Sequence, residues 1–305
     1  MDRFPIGVAM DGSAAGMAAV RWAASEAARR GGALKVVHVC EIDSGSQWVM
    51  PRLTDRLQDS CGVTAEAIEC ARRTAPGVEV TEWRLAGSVA DLLSYASQWS
   101  DLLVIGRSAK VTLATQLAGS ATHRLATQAH CPVVTVPALT AGDVHGGEPG
   151  RIIVGLTDRP TAGRAIDFAI AEAGYHGAEL VAVRAWDSSR AAEAGQPDRQ
   201  DEQLVAARRV LAAHLTAATP DLLSSCVVRA GSPAGVLSGL CRPADLLVLG
   251  RHRHSRLLPA RLGTVLADCL RQAPCPVAVV PDPAVIAERS GHSHELPAAA
   301  RRHPS

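Results

Sequence analysis

No apolar run in the chain approaches the roughly eighteen residues that cross a bilayer, so no membrane-spanning helix is expected. A basic-then-apolar leader is missing too, because Met1 to Val20 is interrupted by Asp2, Arg3 and Asp11. Charge of one sign is scarce. The 31 basic and 30 acidic side chains leave a formal net charge of +1, which offers no bulk attraction to nucleic acid or to a membrane surface. None of the eight cysteines forms a CxxC pair or stands with histidine at zinc spacing. They sit singly in apolar contexts such as Val39-Cys40 and Asp268-Cys269-Leu270, and most are expected to be buried thiols in a reducing cell interior. The expectation is a cytoplasmic chain with neither nucleic acid nor membrane as partner. GxxxxGK[ST] is absent, which argues against a P-loop hydrolase, and no GxGxxG follows a strand to suggest a dinucleotide.

What the chain does have is a repeat. Asp101-Leu102-Leu103-Val104-Ile105-Gly106-Arg107 returns as Asp245-Leu246-Leu247-Val248-Leu249-Gly250-Arg251, identical at six of seven positions. Gly119-Ser120 and Cys131-Pro132-Val133 return as Gly263-Thr264 and Cys275-Pro276-Val277 with the same spacing. The early parts of the two copies align at an offset of 146, placing Trp22 opposite Phe168, and the later parts at 144. A chain of 305 residues has room for two domains with real cores, and the repeat divides it so. The expected boundaries are 1–138, a linker rich in Ala, Gly and Pro over 139–150, 151–282, and a disordered tail over 283–305.

Within each copy short apolar strands alternate with helices. In the first, Phe4 to Met10 reads as a strand, Ala14 to Arg30 as a helix stopped by Gly31-Gly32, and Leu34 to Val39 as a second strand. A loop over 41–53, a helix from Thr54 to Ala75 and a strand from Val78 to Trp83 follow. A helix after Gly87-Ser88, the strand after Asp101, a helix from Leu117 to Gln128 and a strand from Val133 to Val136 complete the copy. In the second copy the same order runs through Arg151–Val154, 161–174, 179–185, a helix from about 200 to 218, and 225–229. Such alternation means a parallel sheet with helices on both faces. The fold class is α/β, as two tandem doubly wound domains.

The stretch from Asp101 to Pro137 carries the chemistry. A buried strand that ends in Gly106 can turn the main chain and bring it close to a ligand. Gly119-Ser120 opens the next helix, where free N–H groups and the positive dipole end favour an anion, and Arg107 and Lys110 could add charge. On the residues alone two readings stand, a phosphate cradle or glycines that only turn the chain. Asp11, before Gly12-Ser13, likewise reads either as a binding carboxylate or as a turn and cap residue. Ser120 and His123 lie three apart, as a nucleophile and base could, but without GxSxG or an orienting acid they read as surface residues. His252 and His254 lack an apparent third metal ligand, and the basic run 251–256 reads as a solvated loop.

With strand order and Gly106…Gly119-Ser120 in hand, the chain resembles the universal stress protein family in its tandem-domain form, over residues 4 to 281. ATP-binding members of that family carry a glycine, two residues, a second glycine, nine residues, then Gly-Ser or Gly-Thr. Gly106 and Gly119-Ser120 match, with Ala109 in the second glycine's place; Gly250 and Gly263-Thr264 match, with Arg253 there. The family also uses an aspartate after the first strand and a valine at the end of the second to hold adenine. Asp11 and Val39 occupy those positions, and Thr157 and Ala185 replace them in the second copy. The resemblance implies a five-stranded parallel sheet in the order 3-2-1-4-5 in each domain. It also implies an ATP site, with or without Mg2+, formed by Asp11, Val39, Gly106, Arg107, Ala109, Lys110, Gly119 and Ser120, with Gly250, Gly263 and Thr264 in the second copy. The last strand of each copy is expected at an edge that pairs the domains or forms a homodimer. The functional expectation is a nucleotide-dependent stress-response or regulatory protein, with no catalytic residue and no metal ligand assigned. The alternatives are a slow ATP hydrolase or other nucleotide-dependent enzyme, and a nucleotide-free interaction scaffold.

Overall fold

Residues 4–41, 50–107, 121–138, 150–157, 162–186, 200–215, 222, 224–251 and 262–281 are described by a computed structural model of the chain. Two compact units divide it, one holding Met1–Gly146 and the other Gly147–Pro283. Of the linker expected over 139–150 only Gly150 is described, its N–H donating to Ala244 O at 2.9 Å. The tail expected over 283–305 lies outside the described residues.

In the first unit the central apolar runs become strands because they are buried on both sides, while the outermost, Val80–Gly87, fully buries only Leu85. The strands are β1 (Ile6–Ala9), β2 (Leu34–Glu41), β3 (Val80–Gly87), β4 (Leu102–Arg107) and β5 (Val133–Pro137), all parallel in the order β3-β2-β1-β4-β5. Val8, Leu102, Leu103, Val104, Val133 and Val134 are wholly shielded from solvent. Burying each such side chain contributes about 1.5–3 kcal/mol. Four helices cover the faces: α1 (Ala14–Arg30), α2 (Met50–Thr74), α3 (Val89–Ala96) and α4 (Ala121–Gln128). Val37, Leu103, Ile105 and Val133 form one cluster with Leu92 and Leu93 of α3 and Leu125 of α4. α1 lies over the alternate residues of β4, and its small Ala15, Gly16, Ala18 and Ala19 let it come close. Its ends are set locally. Ser13 Oγ accepts from Gly16 N, and Gly31, at φ 61°, turns left-handed so that its N–H reaches the carbonyls of Ala27 and Ala28.

The second unit repeats this order. Strands β6 (Arg151–Gly155), β7 (Glu179–Trp186), β8 (Ser224–Ala230), β9 (Leu246–Gly250) and β10 (Val277–Val280) are parallel in the order β8-β7-β6-β9-β10. Its helices are α5 (Ala162–His176), α6 (Gln200–His214), α7 (Pro233–Leu240) and α8 (Thr264–Gln272). Main-chain bonds fix the alignment of the copies. Met10 N donates to Val37 O at 2.9 Å and Leu156 N to Val183 O at 2.8 Å, an offset of 146. Gly106 faces Val136 and Gly250 faces Val280, an offset of 144.

Several boundaries differ from the sequence reading by a few residues, and two have a plain physical cause. α2 starts at Met50, inside the expected loop, because Pro51 falls in its first turn, where a missing N–H costs nothing. β3 runs on to Gly87 because β2 pairs with it through Glu41↔Gly87. Among the described residues no helix is long and apolar enough to cross a membrane.

Candidate functional site

The ladder between β1 and β2 stops at Ala9↔Val37, and that between β1 and β4 at Val8↔Val104. Val39 and Gly106 each lie two residues beyond these last rungs, and Asp11 lies two beyond Ala9. All three therefore sit at the carboxyl ends of adjacent strands β2, β1 and β4. Here the chain leaves β1 toward β2 on one side while β4 lies on the other, the switch point at which open α/β sheets form a crevice.

Asp11 does two things at that point. Its Oδ1 accepts Ser13 N–H at 3.0 Å, which is the turn role expected of an acid before Gly-Ser. Oδ2 has no hydrogen-bond partner among the described residues, and the side chain is exposed. Gly12 takes φ 81° to close the turn, and Ser13 Oγ then accepts Gly16 N–H at 3.0 Å. Ser13→Ala is expected to cost about 1 kcal/mol of N-domain stability by removing this cap, as a urea titration would read. Gly16 is needed for a different reason: a β-carbon there would lie 2.8 Å from Asp11 Oδ1 and 2.9 Å from Met10 Sδ. Val39 pairs with Leu85 and packs, partly buried, against the cluster of Leu85, Leu92 and Leu93. It thus keeps some surface at the strand ends.

At Gly106 the main chain comes close to the protein's own backbone. A β-carbon there would stand 2.3 Å from Ala15 C, 2.4 Å from Ala15 O and 2.6 Å from Gly16 N. The close approach is therefore to the first turn of α1, the turn that Asp11 and Ser13 build. Arg107 continues β4, facing Pro137, and its carbonyl accepts Ala138 N–H at 3.1 Å. Ala109, Lys110, Gly119 and Ser120 lie outside the described residues. His123 on α4 is half-buried, and burial pushes its imidazole below the ordinary histidine pKa.

In the second copy Thr157 and Ala185 fall where Asp11 and Val39 do, as the Leu156–Val183 bond requires. Gly250 ends β9, and Arg251 after it is buried at 5% exposure, its N–H donating to Val280 O. The sequence reading of a solvated loop fails at this residue; His252, Arg253 and His254 lie outside the described residues. Gly263 caps α8 with φ −62° and ψ 149° and no side-chain bond, and Thr264, exposed, is the first helical residue. Burial lifts the Cys269 thiol to about 11 and raises that of Cys226 also, so these two stay protonated near neutrality.

Sequence reasoning passed over His38, whose Nδ1 lies 2.7 Å from Met10 O, and the close packing at Gly16. For His38 the sequence offers only a polar ring in the apolar strand Leu34–Glu41 directly before Val39, which points to no partner.

A model of the universal stress protein family matches residues 3–137 and again 149–281. A universal stress protein of Mycobacterium tuberculosis is 29% identical over 283 residues, covering 89% of this chain and 95% of its own length. One of Mycolicibacterium smegmatis is 29% identical over 286 residues, covering 90% and 95%. Among solved structures, a universal stress protein from Archaeoglobus fulgidus superposes with a TM-score of 0.70 at 14% identity, covering 91% of this chain and 96% of its own. At that identity the likeness is one of fold.

Proposed function

The chain belongs to the universal stress protein family, as two family domains in tandem, and on that premise we propose that its N-terminal copy binds ATP. The nucleotide, with or without Mg2+, then biases conformation or partner choice in a stress response. One observation carries this reading: an exposed Asp11 carboxylate, anchored by one oxygen to Ser13 N–H, stands at the switch point between Val39 and Gly106. An anchored acid with an oxygen to spare suits the amine of adenine, which has hydrogens to donate. Apolar Val39 beside it suits the face of the ring.

The same reading makes the copies unequal. Thr157 offers a hydroxyl in place of the charged acceptor and Ala185 a smaller surface. Loss of a charge-assisted hydrogen bond alone is worth about 1.5–3 kcal/mol, an order of magnitude or more in affinity. Calorimetric titration of the full chain with ATP should give close to one strong site. Asp11→Ala should weaken it about tenfold or more, while Thr157→Ala leaves it unchanged. Two equal sites, or a strong site indifferent to Asp11→Ala, would place binding elsewhere. Hydrolysis of ATP by the purified protein, lost in Asp11→Ala, would replace the regulatory reading with an enzymatic one.

A further inference from the structure

The residue after β1 is held by β2 twice. Met10 N donates to Val37 O at 2.9 Å as a continuation of the ladder, and Met10 O lies 2.7 Å from His38 Nδ1. A carbonyl oxygen can only accept, so the contact requires a proton on Nδ1. A side chain thus fixes the plane of the peptide between Met10 and Asp11 at the step where the ladder ends. Asp11 starts from that peptide, and its carboxylate is seated by Ser13 N–H on one side and by the bare Gly16 on the other.

We propose that His38 is a positioning residue of the nucleotide site, holding Met10 O so that Asp11 is aimed at the adenine amine. This rests on the ATP reading above and adds the origin of base selectivity. The second copy supplies the internal comparison. There the ladder bond survives as Leu156 N to Val183 O at 2.8 Å, but Arg184 stands in place of His38 and donates Nε to Gln203 Oε1 at 2.6 Å. Thr157 stands in place of Asp11. The imidazole and the acid occur together in one copy and are replaced together in the other, though both copies keep the same sheet. If His38 served only the strand, the second copy would need it equally.

The effect on ligand choice follows from the bases. Adenine presents an amine where guanine presents a carbonyl oxygen, so a fixed carboxylate there attracts one and repels the other. With His38 removed, the Met10–Asp11 peptide is free to rotate and the carboxylate loses its aim. A misplacement of this kind weakens recognition at the base and leaves contacts to the phosphates in place.

The test is titration of the full chain with ATP and with GTP, comparing wild type, His38→Leu and His38→Asn. His38→Leu keeps bulk and removes the donor; it is expected to cost about tenfold in ATP affinity and less than about twofold in GTP affinity, collapsing the preference. In His38→Asn the side-chain amide can donate from near the Nδ1 position, and the preference should return to within about twofold of wild type. Where His38→Leu does not fold, His38→Gln takes its place, since the longer arm puts its amide near the Nε2 position and should lose the preference that asparagine keeps. Equal losses for ATP and GTP, or asparagine behaving as leucine and glutamine do, would reduce His38 to a packing residue. Normal ATP selectivity without His38 would overturn the latch alone. No ATP binding by the wild type would overturn the nucleotide reading and the latch with it.

Discussion

Gly106→Ala is expected to destabilise the N-terminal domain by about 3 kcal/mol, at the upper end of what an added methyl group costs in a packed interior. The reason is what the methyl would meet. Ala15 C at 2.3 Å, Ala15 O at 2.4 Å and Gly16 N at 2.6 Å are all main-chain atoms, so no rotamer change relieves the overlap. Either β4 bends away from α1 or the first turn of α1 lifts from the sheet. That turn carries Ser13 and borders Asp11, so nucleotide affinity should fall with stability even though Gly106 gives a ligand no side chain. Gly7 makes the contrast, because a β-carbon there would meet Ser100 Oγ at 2.8 Å and Leu103 Cδ1 at 2.9 Å, the ends of side chains that can move. Gly77 has open space around it and an ordinary backbone, and Gly77→Ala should change stability by less than about 0.5 kcal/mol. Hydrogen exchange of the β4 and β5 amides reads the difference locally. A Gly106→Ala chain with unchanged protection there would show that α1 is not pinned to β4 as the geometry requires.

The limits of α1 were legible because both its signals are local, Ser13 before the alanine-rich run and Gly31 after it. The start of α2 was not, because Pro51 with Ser44-Gly45-Ser46 reads as a breaker until the helix is seen to begin one residue earlier. Strand order came through the family resemblance and repeat alignment through the motif after Asp101, and both hold in the two copies. The candidate site was legible only in where its residues fall along the strands. Asp11 and Val39 lie in short segments whose ends the sequence marks. What Gly106 faces is decided by a helix far earlier in the chain, and a glycine in a sequence says only that something comes close. His38 was hidden by the opposite problem: one polar residue in an apolar strand has no pattern to belong to, and its acceptor is a carbonyl, which every residue possesses.

The two acids that open the repeated motif look interchangeable in the sequence and should respond very differently to substitution. Asp101 is exposed, whereas Asp245 keeps 2% exposure. The cause lies at the start of the first strand of each copy, where Arg151 of β6 takes the position of Pro5, the residue before β1. Arg151 Nη2 reaches Asp245 Oδ2 at 2.6 Å, its Nε reaches Oδ1 at 3.3 Å, and Arg242 N–H donates to Oδ2 at 2.8 Å. Arg151 Nη2 is also 2.9 Å from Leu240 O, so the guanidinium ties the end of α7 to the start of β9 through one carboxylate. Hydrogen bonding to Asp245 holds the Arg151 guanidinium above its ordinary pKa, so the arginine stays a cation. Asp245→Ala leaves that cation partly buried without its counter-ion and Arg242 N–H without its acceptor. The expected cost is about 3 kcal/mol, the low end for breaking a buried pair, because Arg151 retains 23% exposure and water takes up part of the loss. Asp101→Ala should fall within about 0.5 kcal/mol of wild type, as exposed positions do. Adding Arg151→Ala to Asp245→Ala should recover part of the loss, since no unpaired cation remains. Exchange protection of the β9 and β10 amides, compared with that of β4 and β5, separates the two domains in one experiment. Equal losses from the two aspartates would mean that the ion pair contributes no more than the turn each acid begins.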